Sequence, residues 1–467
     1  MASHHSTIFA RASGAGRAGV AVWRISGPEA FAVARRLCRT PPPKNRRAGV
    51  RDLLGADGAL IDRGLVLLFK GPCSFTGEDV AELHVHGGRA VETALARALL
   101  AAGGEPAEAG AFTRRAFENG KLDLAQVEAL ADLIDAETDR QRRQALGQLD
   151  GRLSEAAQVW RARLVKILAP LEAEIDFPDE DGVPAAVAAR AGPEIEALVD
   201  ELARWRDQSV RTRIIRDGVR VAIIGAPNAG KSTLMNRFAG SELAIVAPTP
   251  GTTRDVIEAR IDIEGIAVLI ADTAGLRETT DDPIEREGIR RTRVRADDAD
   301  IRILVVDAEA LGEGSPTSDT IVSRETAALL RDGDLVALNK VDGPSRLSDE
   351  LIGAARATLE GTGRSLAVYP ISARLGFGVD VLFDGLASTL RDRVGPGDET
   401  GLTRLRHVEA VETAIAALGR AQTRLADAPE LAAEDVRIAA RALAAIVGAV
   451  DVEAVLGEIF SSFCIGK

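Results

Sequence analysis

VRVAIIGAPNAGKS, running from Val219 to Ser232, decides the fold of this chain. Its first half is a short apolar run rich in Val and Ile, as expected of a strand buried in a parallel sheet. Its second half, Gly225-Ala226-Pro227-Asn228-Ala229-Gly230-Lys231-Ser232, has the spacing GxxxxGK[ST] and leads through Thr233 into a helix pattern. Glycines there let backbone N–H groups curl around phosphate oxygens, and the helix N-terminus adds partial positive charge. Lys231 is placed to reach the β- and γ-phosphates, and Ser232 to offer its hydroxyl to Mg²⁺. Further strand candidates follow at Ala259–Ile263, Ala267–Ala271, Ile301–Asp307, Leu335–Asn339 and Leu366–Ile371, the later ones alternating with helix-like segments. This pattern predicts a doubly wound α/β domain over residues 217–390.

Three more elements select the nucleotide. Asp272-Thr273-Ala274-Gly275 follows an apolar strand. Asp272 is the expected acidic group on the Mg²⁺ side, through a water, and Gly275 can bring an N–H to the γ-phosphate. Asn339-Lys340-Val341-Asp342 ends another strand. A carboxylate at Asp342 can take hydrogen bonds from N1–H and the 2-amino group of guanine, a pair that adenine lacks. Ser372-Ala373-Arg374, after the last strand, would place a backbone N–H near the guanine oxygen. The series therefore predicts GTP and GDP rather than ATP. The switch is expected across Thr249-Pro250-Gly251-Thr252-Thr253-Arg254-Asp255, with Ala247 and Pro248 just before it among the GTP-binding residues, and Thr253 gives the second Mg²⁺ hydroxyl only when the γ-phosphate is present. Leu276, not Gln, follows the DTAG stretch, so water must be oriented by another group. The acidic residues Glu278, Asp281, Asp282, Glu285 and Glu287 are candidates; each is also readable as part of a solvated acidic loop.

Outside this domain, residues 1–121 mix strand-like runs (Gly19–Ile25, Leu65–Phe69, Asp79–His86) with a helix pattern from Ala90 to Ala102, and read as α+β. Residues 122–216 and 391–467 have the Ala/Leu/Arg/Glu texture of bundle helices, the first stretch broken near Phe177-Pro178-Asp179 and Pro184. The expected architecture is multidomain: an N-terminal α+β domain and a helical domain into which the α/β domain is inserted. The two helical stretches would pack together.

The 467 residues are 46% hydrophobic and 27% charged, ordinary globular material. A net charge of -12 excludes a whole-surface basic footprint, so an RNA partner would need a local patch such as the Arg/Lys cluster from Arg35 to Arg51. The other reading of that cluster is a solvated loop around Pro41-Pro42-Pro43. Cys38, Cys73 and Cys464 form no CxxC pair, which argues against a disulfide framework or zinc site and fits a reducing, cytoplasmic location. No signal-peptide core and no run of ~18 apolar residues predicts a membrane span. The terminal Cys464-Ile465-Gly466-Lys467 is a poor prenylation box.

With these motifs placed, the whole chain resembles the MnmE (TrmE) family of tRNA-modification GTPases. The resemblance is carried by Arg24-Ile25-Ser26-Gly27, Ser74-Phe75-Thr76-Gly77-Glu78-Asp79, His86-Gly87-Gly88, Phe112-Thr113-Arg114-Arg115-Ala116-Phe117, Asn119-Gly120-Lys121-Leu122-Asp123-Leu124 and Phe463-Cys464-Ile465-Gly466-Lys467. It implies an N-terminal domain that dimerises and binds 5-formyltetrahydrofolate, with Arg24, Glu78, Lys121 and Lys467 at the folate-contacting positions. It also implies a GTPase activated by K⁺ and by dimerisation of the GTPase domains, K⁺ being held by Asn228 and the carbonyls of Ala247, Thr249 and Thr252. Glu285 falls on the family's catalytic glutamate, although an extra residue around Asp282-Pro283 leaves Asp282 and Glu287 as alternatives. The implied reaction modifies carbon 5 of wobble uridine 34 in tRNA together with the flavoprotein MnmG, in a heterotetramer. Cys464 is a nucleophile candidate there; its other reading is a small residue anchoring the tail. Two readings from other classes stand beside this one. A GTP-dependent assembly or ribosome-associated switch would need no folate pocket, and an ATP-dependent metabolic enzyme would not depend on Asp342 for base choice.

Overall fold

The computed structural model describes residues 6–176, 191–241, 244–245, 258–272, 294, 296–308, 324–342, 352–353, 356, 364–395, 400–449, 456–457, 459–460, 463 and 466. The chain divides into two compact units. One comprises Met1–Ile134, Gly147–Ala203 and Glu409–Lys467; the other comprises Asp135–Leu146 and Arg204–Val408.

The first unit contains a six-stranded sheet built from β1 (Ile8–Arg11), β2 (Ala18–Ser26), β3 (Gly49–Leu54), β4 (Leu60–Phe69), β5 (Val80–Gly87) and β6 (Glu105–Pro106). The order is β3-β4-β5-β2-β1-β6, antiparallel except for the β1–β6 pair. Period-two alternation sorts each strand between two faces. Ala21, Trp23 and Ile25 of β2 join Phe9 of β1 in a core covered by α1 (Ala30–Leu37) and α2 (Arg89–Ala101), through Val33, Leu37, Leu95 and Leu99. The intervening residues face the other way. Ile8 and Ala10 pack there with Phe112 of α3 (Ala111–Glu118) and with Phe75. Arg24 of β2 lies opposite Glu82 of β5 in the register, so the pleat delivers both to that second face.

The same unit holds α4 (Leu124–Asp135), α6 (Arg152–Asp176) and α12 (Pro429–Ile446), together with parts of α5 (Asp139–Leu149), α7 (Gly192–Asp217) and α11 (Leu405–Arg424). Helix α6, which precedes the α/β domain in sequence, packs along α12, which follows it. Small residues such as Ala432, Ala433 and Ala439 are buried on α12. Buried Trp160 donates Nε1–H to Glu201 of α7 at 2.8 Å, and Asp435 accepts from Arg420 at 2.9 Å and Arg424 at 2.7 Å. The buried Asp435 carboxylate is thus paired with N–H donors, which offsets the cost of its burial.

The second unit carries β7 (Val219–Gly225), β8 (Glu258–Ile263), β9 (Ile266–Asp272), β10 (Ile301–Asp307), β11 (Leu335–Asn339) and β12 (Ala367–Pro370) in the order β12-β11-β10-β7-β9-β8. All pairs are parallel except β8–β9. Strands β7, β10 and β11 read as near-continuous apolar runs because both sheet faces are covered. One face is packed by α8 (Lys231–Ala239) and α10 (Val379–Val394). The other carries Ala222, Leu304, Val336 and Leu338, against which residues of α9 (Arg324–Leu329) pack. The exception to the apolar pattern is Arg302. It is fully buried in β10, and it donates to the carbonyls of Ala296 and Ala299 and pairs with Asp334 at 3.7 Å.

Five elements of the first unit and its edges were not anticipated from local pattern: β1, β3, β6, α1 and α3. Strand β3, GVRDLL, has no clean alternation and lies in a basic stretch; it is a strand because β4 pairs with it, which also extends β4 back to Leu60. The last helix of the α/β unit runs to Val394 and ends on Gly395 at φ 63°, beyond the expected limit near Leu390. The expected helix break at Phe177–Pro184 lies outside the described residues.

Candidate functional site

The nucleotide site assembles at the carboxyl ends of the parallel strands. Strand β9 lies on one side of β7 and β10 on the other, so the loop after β7 sits at the point where strand order reverses, the usual ligand crevice of such sheets. Gly225, at φ 146°, leaves the strand where a Cβ would overlap the carbonyl of Val305. Asn228 adopts φ 62°, a left-handed conformation that Asn tolerates better than most residues. Lys231 is buried, and its Nζ donates to the carbonyls of Gly225 at 3.1 Å and Ala226 at 2.8 Å. The loop thus folds around the ammonium, and within it the Ala229 N–H donates to the Ala226 carbonyl at 3.3 Å. Ser232 and Thr233 follow at the first turn of α8 and are exposed. Asp272 ends β9 opposite Ile223, alongside the mouth of the loop.

The residues expected to read the base arrive from β11 and β12. Asn339 is 3% exposed and its amide is spent within the protein. Nδ2 donates to the Ala229 carbonyl at 2.7 Å, and Oδ1 accepts from the Ala373 N–H at 2.9 Å. One side chain therefore ties the loop after β7 to the segments after β11 and β12. Gly230, at φ 102°, has no room for a Cβ beside that amide. Asp342 accepts from Ser372 Oγ at 2.6 Å and from Arg374 at 2.7 Å. The serine fixes the carboxylate's orientation. The Arg374 side chain is 74% exposed, so a competing donor can displace it at low cost. Lys340 takes φ 68° and pairs with Asp307, at the end of β10, at 2.5 Å. Arg237 of α8 donates to the carbonyls of Ala373 (3.1 Å) and Arg374 (2.7 Å), holding the last segment against the helix. Asp307 and Arg237 were missed from sequence because neither belongs to a motif. Ala247, Pro248, Thr249, Pro250, Gly251, Thr252, Thr253, Thr273, Ala274, Gly275 and Glu285 lie outside the described residues.

A second polar site lies on the α3 face of the N-terminal sheet. Arg24 donates through Nε (3.1 Å) and Nη2 (3.0 Å) to one oxygen of Glu82, and its guanidinium stands 5.1 Å from the ring centre of Phe75 and 5.8 Å from that of Phe112. Glu78 accepts from Ser26 Oγ at 2.7 Å and from Arg115 at 2.9 Å; Arg115 is 8% exposed. Ser26 also bonds Thr76 at 2.7 Å, and Asn119 donates to the Thr76 carbonyl at 2.7 Å. Lys121 is exposed and its stem passes close to Gly77. The structure thus brings Arg24, Glu78 and Lys121 around one loop, Ser74–Asp79. Glu82 and Arg115 are the side-chain partners that no sequence motif marks as such, although Arg115 stands inside the Phe112–Phe117 stretch. Cys464 and Lys467 lie outside the described residues. Cys38 is buried, with its thiol pushed up to about 11 by desolvation.

Together, the sheet order, the phosphate loop and the Asn339–Asp342 and Ser372–Ala373 segments define a P-loop GTPase. Two family models match the chain: "GTP-binding protein TrmE N-terminus" over residues 7–121 and "MnmE helical domain" over residues 124–464. Relatives called tRNA modification GTPase MnmE align from end to end. The protein of Maricaulis maris is 48% identical, covering 99% of this chain and 100% of the relative. That of Phenylobacterium zucineum is 50% identical, covering 99% of each. The chain belongs to the MnmE (TrmE) family of tRNA modification GTPases. No described helix is long and apolar enough to cross a membrane.

Proposed function

We propose that the protein is the GTP-hydrolysing component of a cytoplasmic tRNA-modifying enzyme. It acts with an MnmG-type flavoprotein in a heterotetramer to place a carboxymethylaminomethyl or aminomethyl group on C5 of wobble uridine 34. The observation that carries this reading is the end-to-end similarity to relatives of that name, together with a guanine-reading carboxylate held in place by Ser372. GTP is bound through Asn228–Thr233, Ala247–Thr253 at the start of the switch, Asp272–Gly275, Asn339–Asp342 and Ser372–Arg374. Ser232 and Thr253 hold Mg²⁺, and Asp272 faces it through water. The exposed Ser232 hydroxyl at the start of α8 fits that role.

The N-terminal site is assigned to 5-formyltetrahydrofolate, the one-carbon source, in a homodimer. Two phenylalanine rings beside a guanidinium, together with paired carboxylates, suit a flat heterocycle bearing N–H groups and a glutamate tail. Arg24 already pairs with Glu82, so it reaches a ligand carboxylate through Nη1 or by exchange. Lys121 and Lys467 supply the other cations, and Glu78 the acceptor. The domains proposed are residues 1–121 (folate and dimer), 122–216 with 391–467 (helical, ending in Cys464), and 217–390 (GTPase). The decisive experiment is nucleoside analysis of tRNA from a strain lacking the gene: the wobble modification should disappear. A normal nucleoside profile would end this reading.

Asn228 and the carbonyls of Ala247, Thr249 and Thr252 are proposed to hold K⁺ between paired GTPase domains, with Glu285 orienting the water. A cation at that position stabilises charge developing on the transferred phosphoryl group. Hydrolysis is expected to be roughly ten- to hundred-fold faster in K⁺ than in Na⁺ at equal ionic strength. Equal rates in the two salts would remove Asn228 from the mechanism.

A further inference from the structure

An acidic protein that handles tRNA must concentrate positive charge somewhere, and one stretch stands apart. Between Arg35 and Arg51 the chain carries six arginines, one lysine and no carboxylate, against a net charge of -12 overall. These cations do not hang on a loose loop. After α1, the chain pairs back onto β3 through the Cys38–Leu53 bridge and the Arg39 N–H to Asp52 carbonyl bond at 2.9 Å. It then crosses to β4. The Arg46 N–H donates to Leu68 at 2.8 Å, Asn45 accepts from the Lys70 N–H at 2.9 Å, and the Arg46 guanidinium donates to the Cys73 carbonyl at 2.5 Å. Arg51 donates to the Pro41 carbonyl at 2.6 Å. The three prolines between them stiffen the crossing. The result is a fixed basic stripe along β3, the edge strand of the N-terminal sheet.

Little of this charge is neutralised. Asp52 pairs with Arg39 at 3.5 Å and with Arg63 at 2.8 Å. Among the described residues, Arg35, Lys44 and Arg47 make no side-chain hydrogen bond or ion pair, and all three are exposed. Arg46 and Arg51 spend donors only on carbonyls, which leaves their charge in place. Such a surface fits a polyanion whose phosphates match guanidinium forks. It holds no Phe, Tyr or Trp on which unstacked bases could pile. Val50 is the one exposed large apolar side chain in the stripe, too little to insert into a lipid surface.

We propose that the β3 edge, centred on Arg35, Lys44, Arg46 and Arg47, is a docking surface for the phosphate backbone of folded tRNA. The assignment rests on the tRNA-modification reading above. It predicts contact that is independent of base sequence and strongly weakened by salt.

The test uses the full-length protein carrying Arg35→Glu, Lys44→Glu and Arg47→Glu together, with a parallel Gln triple variant that removes charge without adding any. Binding of fluorescent total tRNA is measured across a salt series. Affinity is expected to fall at least about ten-fold at low salt, and the plot of log K against log salt to become shallower by about two to three. GTP hydrolysis, which does not involve these residues, should be unchanged. Unaltered tRNA affinity and slope in both variants would overturn the assignment. So would loss of binding to phosphatidylglycerol vesicles or to an acidic polypeptide with tRNA binding intact, because the face would then serve a different partner. The outcome is separable from that of the broader reading. If the deletion strain has hypomodified tRNA and the triple variant restores it with normal tRNA affinity, only the docking surface is lost. If the deletion strain has normal tRNA, the broader reading falls as well.

Discussion

Replacing Asp342 by asparagine is expected to abolish the preference for guanine nucleotides. In the structure one carboxylate oxygen is held by Ser372 Oγ, leaving the group aimed and acceptor-only. Guanine offers it two N–H donors, each bond to a charged acceptor contributing about 1.5–3 kcal/mol. Losing both corresponds to roughly 10²- to 10⁴-fold weaker GTP binding, because the amide presents a donor to at least one guanine donor. The measurement is competition between GTP and ATP for the parent and for Asp342→Asn. The fold should be untouched, since Asp342 is partly exposed and Asn is isosteric. A variant that still selects GTP over ATP as the parent does would show that the base is read elsewhere.

Replacing Lys231 by alanine is expected to eliminate hydrolysis and most triphosphate affinity. Its ammonium is the buried cation within the phosphate loop and donates to the carbonyls of Gly225 and Ala226. Without it, those carbonyls lose their donor, and the loop loses the positive charge that would meet incoming phosphate oxygens in a partly desolvated site. Two charge-assisted contacts to the β- and γ-phosphates disappear together, so GTP affinity should fall by at least about 10²-fold. GDP retains only the β-phosphate contact and should lose less. Calorimetric titration with both nucleotides reads the difference. Equal losses for GDP and GTP would mean that the lysine serves loop shape alone.

Asp342→Asn and Lys231→Ala act on two residues that were legible in the sequence for the same reason. A phosphate loop and a base-reading tetrapeptide are each local: a strand end, a turn and the start of the next segment, specified by residues within a few positions. The apolar runs of β7, β10 and β11 were legible too, because a strand buried on both faces has to be apolar throughout. Strands β3 and β6 were not, since an edge strand can be polar and irregular and still be held by one neighbour. Helix α3, a short amphipathic segment in FTRRAF, was hidden by its charged residues, one of which proves to be buried.

What the sequence by itself determined, then, is the class of protein, a P-loop GTPase, and the local motifs from which the phosphate and base contacts are proposed. Tertiary structure alone decided how those residues are coupled. Asn339 reaches Ala229 across 110 positions, and Ser372 orients Asp342 across 30; each pairing depends on parallel strand order, which no local pattern specifies. The same holds in the N-terminal domain. Arg24 faces Glu82, and Glu78 is gripped by Ser26 and Arg115, because a pleated sheet in one register puts alternate side chains of distant strands on one face. Spacing along a chain fixes what a loop can do. Register across a sheet fixes which loops and side chains act together.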